Sequence, residues 1–349
     1  MTTADDSVLR RTEGHAGHLV LNRPRALNSL THGMVRHLSA ALDAWRDDPA
    51  VATVVLSGAG ERGLCAGGDI RAIHDDVRDG DTAATRAFWR AEYHLNAEIA
   101  RYPKPFVAFM DGIVMGGGVG VSAHGGVRIV TERSRVAMPE TAIGFVPDVG
   151  GLHLLAAAPG ELGTHLALTG APMTAGDALL CGLADHYVPA ARLPELAAAL
   201  ATGDVAGAVA RYAEPAPEAP LAAHRGWIDA CYAADTVEEI VDRLEHSGEP
   251  AAKSAAQSLL ELSPTSLKVT LAALRRVPRL GSLERVLDQD FRIASAALAS
   301  PDLVEGIRAR IVDKDRAPRW SPAHLADVTD GEVARHFRSL GPDELGLSG

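Results

Sequence analysis

Apolar positions fall into two regimes along the chain, short runs in the first half and helical spacing in the second. Gly17 to Asn22 (GHLVLN) and Val51 to Ser57 (VATVVLS) are apolar stretches bounded by Gly, Pro or Asn, and they predict strands. Between them a helical pattern runs from Thr31 to Trp45, with Thr31 placed to cap its N-terminus. A second helical pattern, Thr82 to Tyr102, leads into KPFVAFMDG (Lys104 to Gly112), a strand stopped by Asp-Gly. VRIVTERSRVAMP (Val127 to Pro139) reads as one further strand. Strand and helix in alternation predict an α/β fold with both sheet faces covered.

Beyond Gly151 the pattern is almost entirely helical as far as about Gly203. AEPAPEAPL (Ala213 to Leu221) alternates Pro with Ala and Glu and favours an extended connection. Amphipathic helices follow, among them SPTSLKVTLAALRR and SLERVLDQDFRIASAAL. The expected organisation is a core over 1–212, a Pro/Ala-rich connection over 213–221 and a helical region over 222–349 packed on the core. The 349 residues, 47% of them hydrophobic, supply ample apolar mass for it.

Charge narrows the partners. A net charge of −11 with no basic stripe argues against nucleic acid. An anionic small ligand would need local compensation, which Arg23, Arg25 and Arg71 could supply; equally, they could be solvated surface residues. No apolar run approaches the roughly 18 residues of a membrane span. Thr2 to Arg11 has neither the basic start of a signal peptide nor the Arg-rich look of a transit peptide, so the expected location is cytoplasmic. Cys65, Cys181 and Cys231 are odd in number and widely separated, and no histidine pair completes a ligand set, so neither disulfides nor a metal site is expected.

Two glycine clusters each follow a strand: CAGGDI (Cys65 to Ile70) and MGGGVGVSAHGG (Met115 to Gly126). Glycines there let backbone approach a ligand, and two convergent amides would make an oxyanion hole. A rival for the second cluster is dinucleotide binding, since Gly118, Gly120 and Ala123 fit G-x-G-x-x-A with Glu140 twenty residues past Gly120. The fingerprint should open a βαβ unit, which three glycines in mid-chain do not. PETAIGFVPDVGG (Pro139 to Gly151) carries Glu140 and Asp148. Asp148 could be a helix cap and Glu140 a loop residue; alternatively the loop aims both at one substrate atom, with Ile143, Phe145 and Val146 desolvating them.

LNRPRALNSLT, GLCAGGDIR, FWRAEYHLN, KPFVAFMDGIVMGGGVGVSAHG, AMPETAIGFVPDVGG and EGIRARIVDKDRAPRWSP together resemble the 3-hydroxyisobutyryl-CoA hydrolases of the crotonase (enoyl-CoA hydratase/isomerase) superfamily. The resemblance runs from about Val8 to Leu340. It implies an α/β crotonase (ClpP-like) fold of ββα turns with a helical C-terminal region. It implies hydrolysis of the 3-hydroxyisobutyryl-CoA thioester, a step in valine breakdown, with no metal or redox cofactor. By similarity the oxyanion amides fall on Gly68 and Gly117, and the acids on Glu92, Glu140 and Asp148. Backbone around Ala26 and at Ala66, Gly67, Gly68, Asp69 and Ile70 would cradle the CoA moiety. Enoyl-CoA hydratases resemble the chain at GGG but carry a second glutamate where this chain has Gly120. Dienoyl-CoA isomerases look similar in the Glu140 and Asp148 spacing and stay open as an alternative. Members commonly assemble as trimers or hexamers, which leaves a homo-oligomer open here; the C-terminal helices could instead cover the chain's own site.

Overall fold

A computed structural model describes residues 6–348. The opening residues through Asp5, part of the acidic leader read from Thr2 to Arg11, lie outside that range. The chain divides into two compact units. The first comprises Met1–Gly68, Ala91–Ala137 and Met173–Pro220; the second comprises Asp69–Arg90, Met138–Pro172 and Leu221–Gly349.

The first unit is built on a six-stranded sheet. Its strands are β1 (Val8–Glu13), β2 (Ala16–Leu21), β3 (Thr53–Gly58), β4 (Phe106–Met110), β6 (Val127–Val130) and β8 (His186–Tyr187), in the order β1-β2-β3-β4-β6-β8. β5 (Ile113–Met115) and β7 (Arg135–Ala137) form a separate parallel pair. All pairings in the large sheet are parallel except β1 with β2. The central strands read as nearly continuous apolar runs because both faces are covered. On one face Val55, Val107 and Ile129 share a core with Leu196, Leu200, Val209 and Tyr212 from the helices Leu193–Leu200 and Val205–Tyr212. On the other, Leu38 and Leu42 of the helix His32–Arg46 meet Leu19, Leu56 and Phe106. Thr31 caps that helix as expected, its side chain accepting from the Met34 amide at 3.2 Å; such caps are typically worth ~1 kcal/mol.

Two strand readings change. β1 lies where the sequence shows only a polar leader, because its exposed Leu9, Arg10, Arg11 and Glu13 carry no apolar alternation. Charged residues suit a sheet edge, and β1 occupies one. VRIVTERSRVAMP is two strands in different sheets, β6 and β7. The polar TERS segment turns between them: the Ser134 amide donates to the Thr131 carbonyl at 3.0 Å, and the Thr131 amide donates to Ser134 Oγ at 2.8 Å.

The second unit is helical, with no strand among its described residues. Pro264–Leu280 and Leu283–Ala297 match the amphipathic patterns, capped by Ser263 and Ser282. Within this unit Asp302 takes hydrogen bonds from Ser263 Oγ at 2.6 Å and from the Ser321 amide at 2.8 Å. That clasp fastens the helix Pro301–Ile307 to the start of Pro264–Leu280 and to the chain that follows. Arg308 gathers Glu305, Asp313 and Asp315, which holds the charged IVDKDRAPRW segment in place.

Candidate functional site

In the first unit the glycine clusters sit at the ends of paired chain segments. Cys65 is bridged to Val114, and the Met115 amide donates to the Cys65 carbonyl at 3.0 Å, so the two clusters are in register. Gly67 has φ +107° and Gly116 has φ +49° with ψ −120°, backbone states that side chains disfavour. These turns leave the amides of Gly68 and Gly117 with no protein acceptor among the described residues. The two are close: a Cβ built on Gly117 would stand 3.3 Å from the Gly68 nitrogen, and one on Gly67 would stand 3.6 Å from the Gly117 nitrogen. Two adjacent uncommitted amides are the donor set an acyl-transfer oxyanion requires.

Glu92, on the helix Ala83–Ala100, is 2% exposed. Its Oε1 lies so near Gly117 that any Cβ there would collide with it. Burial pushes the neighbouring Cys65 thiol up to about 12, with Glu92 adding to the shift, so this sulfur stays protonated and is no nucleophile. The turn containing Ala26 is stitched to the first glycine cluster by the Ala66 amide on the Leu27 carbonyl at 3.0 Å and the Leu30 amide on the Gly67 carbonyl at 2.8 Å. Asn28 makes this possible. Buried at φ +54°, it donates from Nδ2 to the carbonyls of Ala59 and Gly63 at 3.0 and 3.1 Å, and its Oδ1 accepts from the Arg23 amide at 2.9 Å. Asparagine tolerates the left-handed region, and no sequence motif marks this one.

Asp69 and Ile70 belong to the second unit, where Ile70 opens the helix Ile70–Arg78. Arg71 donates to the Ile311 carbonyl at 3.1 Å, and in the first unit Arg23 donates to the Ser29 carbonyl at 2.6 Å. Both arginines therefore already hold backbone, whereas Arg25 is exposed.

The acid loop also lies in the second unit, and both of its carboxylates are buried, Glu140 at 7% and Asp148 at 5% exposure. Glu140 opens a 3-10 turn, Glu140–Ile143, closed by Gly144 at φ +71°. The Phe145 amide returns to the Glu140 carbonyl at 3.0 Å, and the Phe145 ring stacks on Trp89 at 5.3 Å. Asp148 is not the helix cap: the helix Gly151–Ala156 has Gly150 at that position and no side-chain cap. Instead Asp148 precedes two left-handed residues, Val149 at φ +51° and Gly150 at φ +72°.

A further acid, Asp290, is fully buried beside this turn, its Oδ2 accepting from the Gly150 amide at 2.9 Å. Burial raises its pKa well above the carboxylate range, and the Asp148 charge adds to the rise. No sequence motif contains it. A trace was present, since Val286, Leu287, Ile293 and Ala294, three and four residues away on the same helix, are all apolar and buried. Among the described residues no cluster of three or more His, Cys, Asp or Glu could hold a metal ion, and no helix is long and apolar enough to cross a membrane.

The chain is similar to several known proteins. The enoyl-CoA hydratase/isomerase family matches residues 16–337. The mitochondrial 3-hydroxyisobutyryl-CoA hydrolase of Gallus gallus is 40% identical, over 99% of this chain and 92% of its own length. Among solved structures, a carnitinyl-CoA dehydratase from Mycobacterium thermoresistibile is 52% identical with a TM-score of 0.95, over 99% of this chain and 100% of that one. An enoyl-CoA hydratase from Rhodobacter sphaeroides is 46% identical with a TM-score of 0.91, over 97% and 99%. The fold is the α/β crotonase fold with a helical C-terminal region. The chain belongs to the enoyl-CoA hydratase/isomerase family.

Proposed function

We propose that this protein hydrolyses 3-hydroxyisobutyryl-CoA to 3-hydroxyisobutyrate and free CoA, the thioester cleavage step of valine catabolism. The observation that carries this reading is the match to 3-hydroxyisobutyryl-CoA hydrolase over 99% of the chain. The uncommitted amides of Gly68 and Gly117 support it, because acyl transfer develops negative charge on the carbonyl oxygen.

In the mechanism we propose, Gly68 and Gly117 donate to the thioester oxygen while Glu140 takes a proton from water. The resulting hydroxide attacks the carbonyl carbon, the oxyanion collapses, and the C–S bond breaks. The departing CoA thiolate takes the proton back from Glu140. Asp148 orients the water or the substrate hydroxyl, and Glu92 orients the acyl group beside Gly117. Backbone at Ala26, Ala66, Gly67, Asp69 and Ile70 contacts the CoA portion. Should Glu140 attack directly, an acyl-glutamyl anhydride forms and water then cleaves it. Adding hydroxylamine during turnover separates the routes: a hydroxamate at Glu140, found by mass spectrometry, requires the anhydride, and its absence with normal turnover leaves Glu140 as general base.

The names of the two solved relatives favour a second reading, reversible hydration of an enoyl-CoA. Gly120 speaks against it, as a buried glycine stands where hydratases resembling this chain carry their second glutamate. Incubation with 3-hydroxyisobutyryl-CoA and, separately, crotonyl-CoA decides: thiol release from the first supports hydrolysis, and enoyl loss without thiol reverses the ranking. We place the protein in the cytoplasm, although the curated relatives are named as mitochondrial; cell fractionation tests this. A homo-oligomer, trimer or hexamer, is tested by solution mass.

A further inference from the structure

We propose that Asp290 is a positioning residue for the reaction: from inside the helix Leu283–Ala297 it holds the left-handed Val149–Gly150 turn and thereby sets the aim of Asp148. The inference rests on the reading above, in which Asp148 serves the hydrolysis.

Three observations carry it. Val149 is β-branched and sits at φ +51°, a region such residues avoid, so the turn needs an external hold. The hold is visible: Gly150 donates its amide to Asp290 Oδ2 at 2.9 Å, across 140 residues of sequence. The rest of the turn closes on Asp148 itself, whose carbonyl accepts from the Gly151 amide at 2.7 Å. Asp290 thus holds the third residue of a four-residue turn, Asp148 to Gly151, whose first residue is the acid.

The second oxygen of Asp290 completes the argument. Oδ1 is buried with no hydrogen-bond partner, and the residue is 0% exposed. A carboxylate in that setting has one amide to offset its charge and Asp148 nearby to oppose it, and both burial and Asp148 raise the Asp290 pKa well above the usual carboxylate value. Its role is to accept one hydrogen bond and fill space, a task that does not require a charge. An amide side chain of the same shape serves equally. A methyl group does not, because it strands the buried Gly150 amide and frees the turn.

The test compares wild type, Asp290→Ala, Asp290→Asn and Asp148→Asn, measuring kcat and KM for 3-hydroxyisobutyryl-CoA and thermal midpoints. Misplacing a catalytic group by about 1 Å costs on the order of 100-fold, so D290A is expected to lower kcat by about that factor and move KM by less than about threefold. D290N is expected to restore kcat to within about fivefold of wild type. Adding Val149→Gly to D290A recovers at least about tenfold, since glycine adopts the turn unaided. If D290A does not fold, Asp290→Ser, which keeps the site polar but falls short of Gly150, takes its place with the same expectations. Retention of kcat by folded D290A alongside an inactive D148N overturns the inference and leaves the reading of Asp148 intact. Full activity in D148N overturns that reading instead. A folded D290N as impaired as D290A shows that the charge, not the accepted hydrogen bond, matters, and also overturns the inference.

Discussion

In the proposed reaction the two units supply different materials, one for each half of the chemistry. In the first, the groups assigned to the oxyanion are backbone amides, Gly68 and Gly117, made available by turns at Gly67 and Gly116 that only glycine adopts easily. In the second, the groups assigned to the proton are side chains, Glu140 and Asp148, buried on a loop whose shape depends on Gly144, Gly150 and Asp290. Amides offer a fixed partial charge that no pH change removes. Carboxylates offer a proton but are sensitive to whatever lies beside them. The first half is therefore damaged by adding atoms, and the second by exchanging them.

The largest expected effect tests the second half. Glu140→Gln keeps the shape and removes the base, and kcat for thioester hydrolysis should fall by about 10²–10⁴-fold; a thiol-release assay measures it, and unchanged turnover would remove Glu140 from the site. Next, Gly117→Ala adds one methyl group that meets Glu92 Oε1. The amide itself survives, but the methyl group displaces Glu92 and crowds the Gly68 amide, and misplacing such groups by about 1 Å should lower kcat by about 10²-fold, while Glu140 remains in place. If G117A were harmless and E140Q fatal, the two halves would not share one reaction.

A smaller effect separates stability from chemistry in the second unit. His165 is packed edge-on to Trp227 and Tyr232, and burial lowers its pKa to about 4. The folded state holds it neutral, so the unfolded chain binds the extra proton between pH 6.5 and about 4. Stability contributed at neutral pH is lost as pH falls through that window, about 3 kcal/mol by linkage. His165→Phe should flatten the fall of the thermal midpoint on acidification. An acid-side activity loss that survives in H165F belongs to the carboxylates. The smallest effect calibrates the rest: Arg335→Ala breaks an exposed i,i+3 pair with Glu332 and should change unfolding free energy by no more than about 0.5 kcal/mol without altering kcat.

How much of this was legible in the sequence follows the same division. The glycine clusters after apolar strands mark turns that the structure contains, at Gly67 and Gly116, because backbone geometry writes itself into composition at those positions. β2, β3, β4 and the helix from His32 were readable from periodicity, and Thr31 from cap chemistry. β1 was not, since an edge strand with polar residues has no apolar pattern. Neither was the break between β6 and β7, where apolar runs on both sides of TERS hide a change of sheet. In the acid half, Glu140 and Asp148 stood out as acids among apolar neighbours, but whether Asp148 capped a helix depended on Gly150 taking that position. Asn28 and Asp290 act on chain segments far from themselves in sequence, 31 and 35 residues away for Asn28 and 140 for Asp290, and such partnerships leave no local pattern.

The three cysteines carry a practical consequence. All are buried, and burial raises every one, Cys65 and Cys181 to about 12. An enzyme assayed by the thiol it liberates competes with its own product for the trapping reagent wherever it displays a thiolate. All three thiols here are buried and held protonated, so a thiol-trapping dye can report turnover continuously without consuming the catalyst.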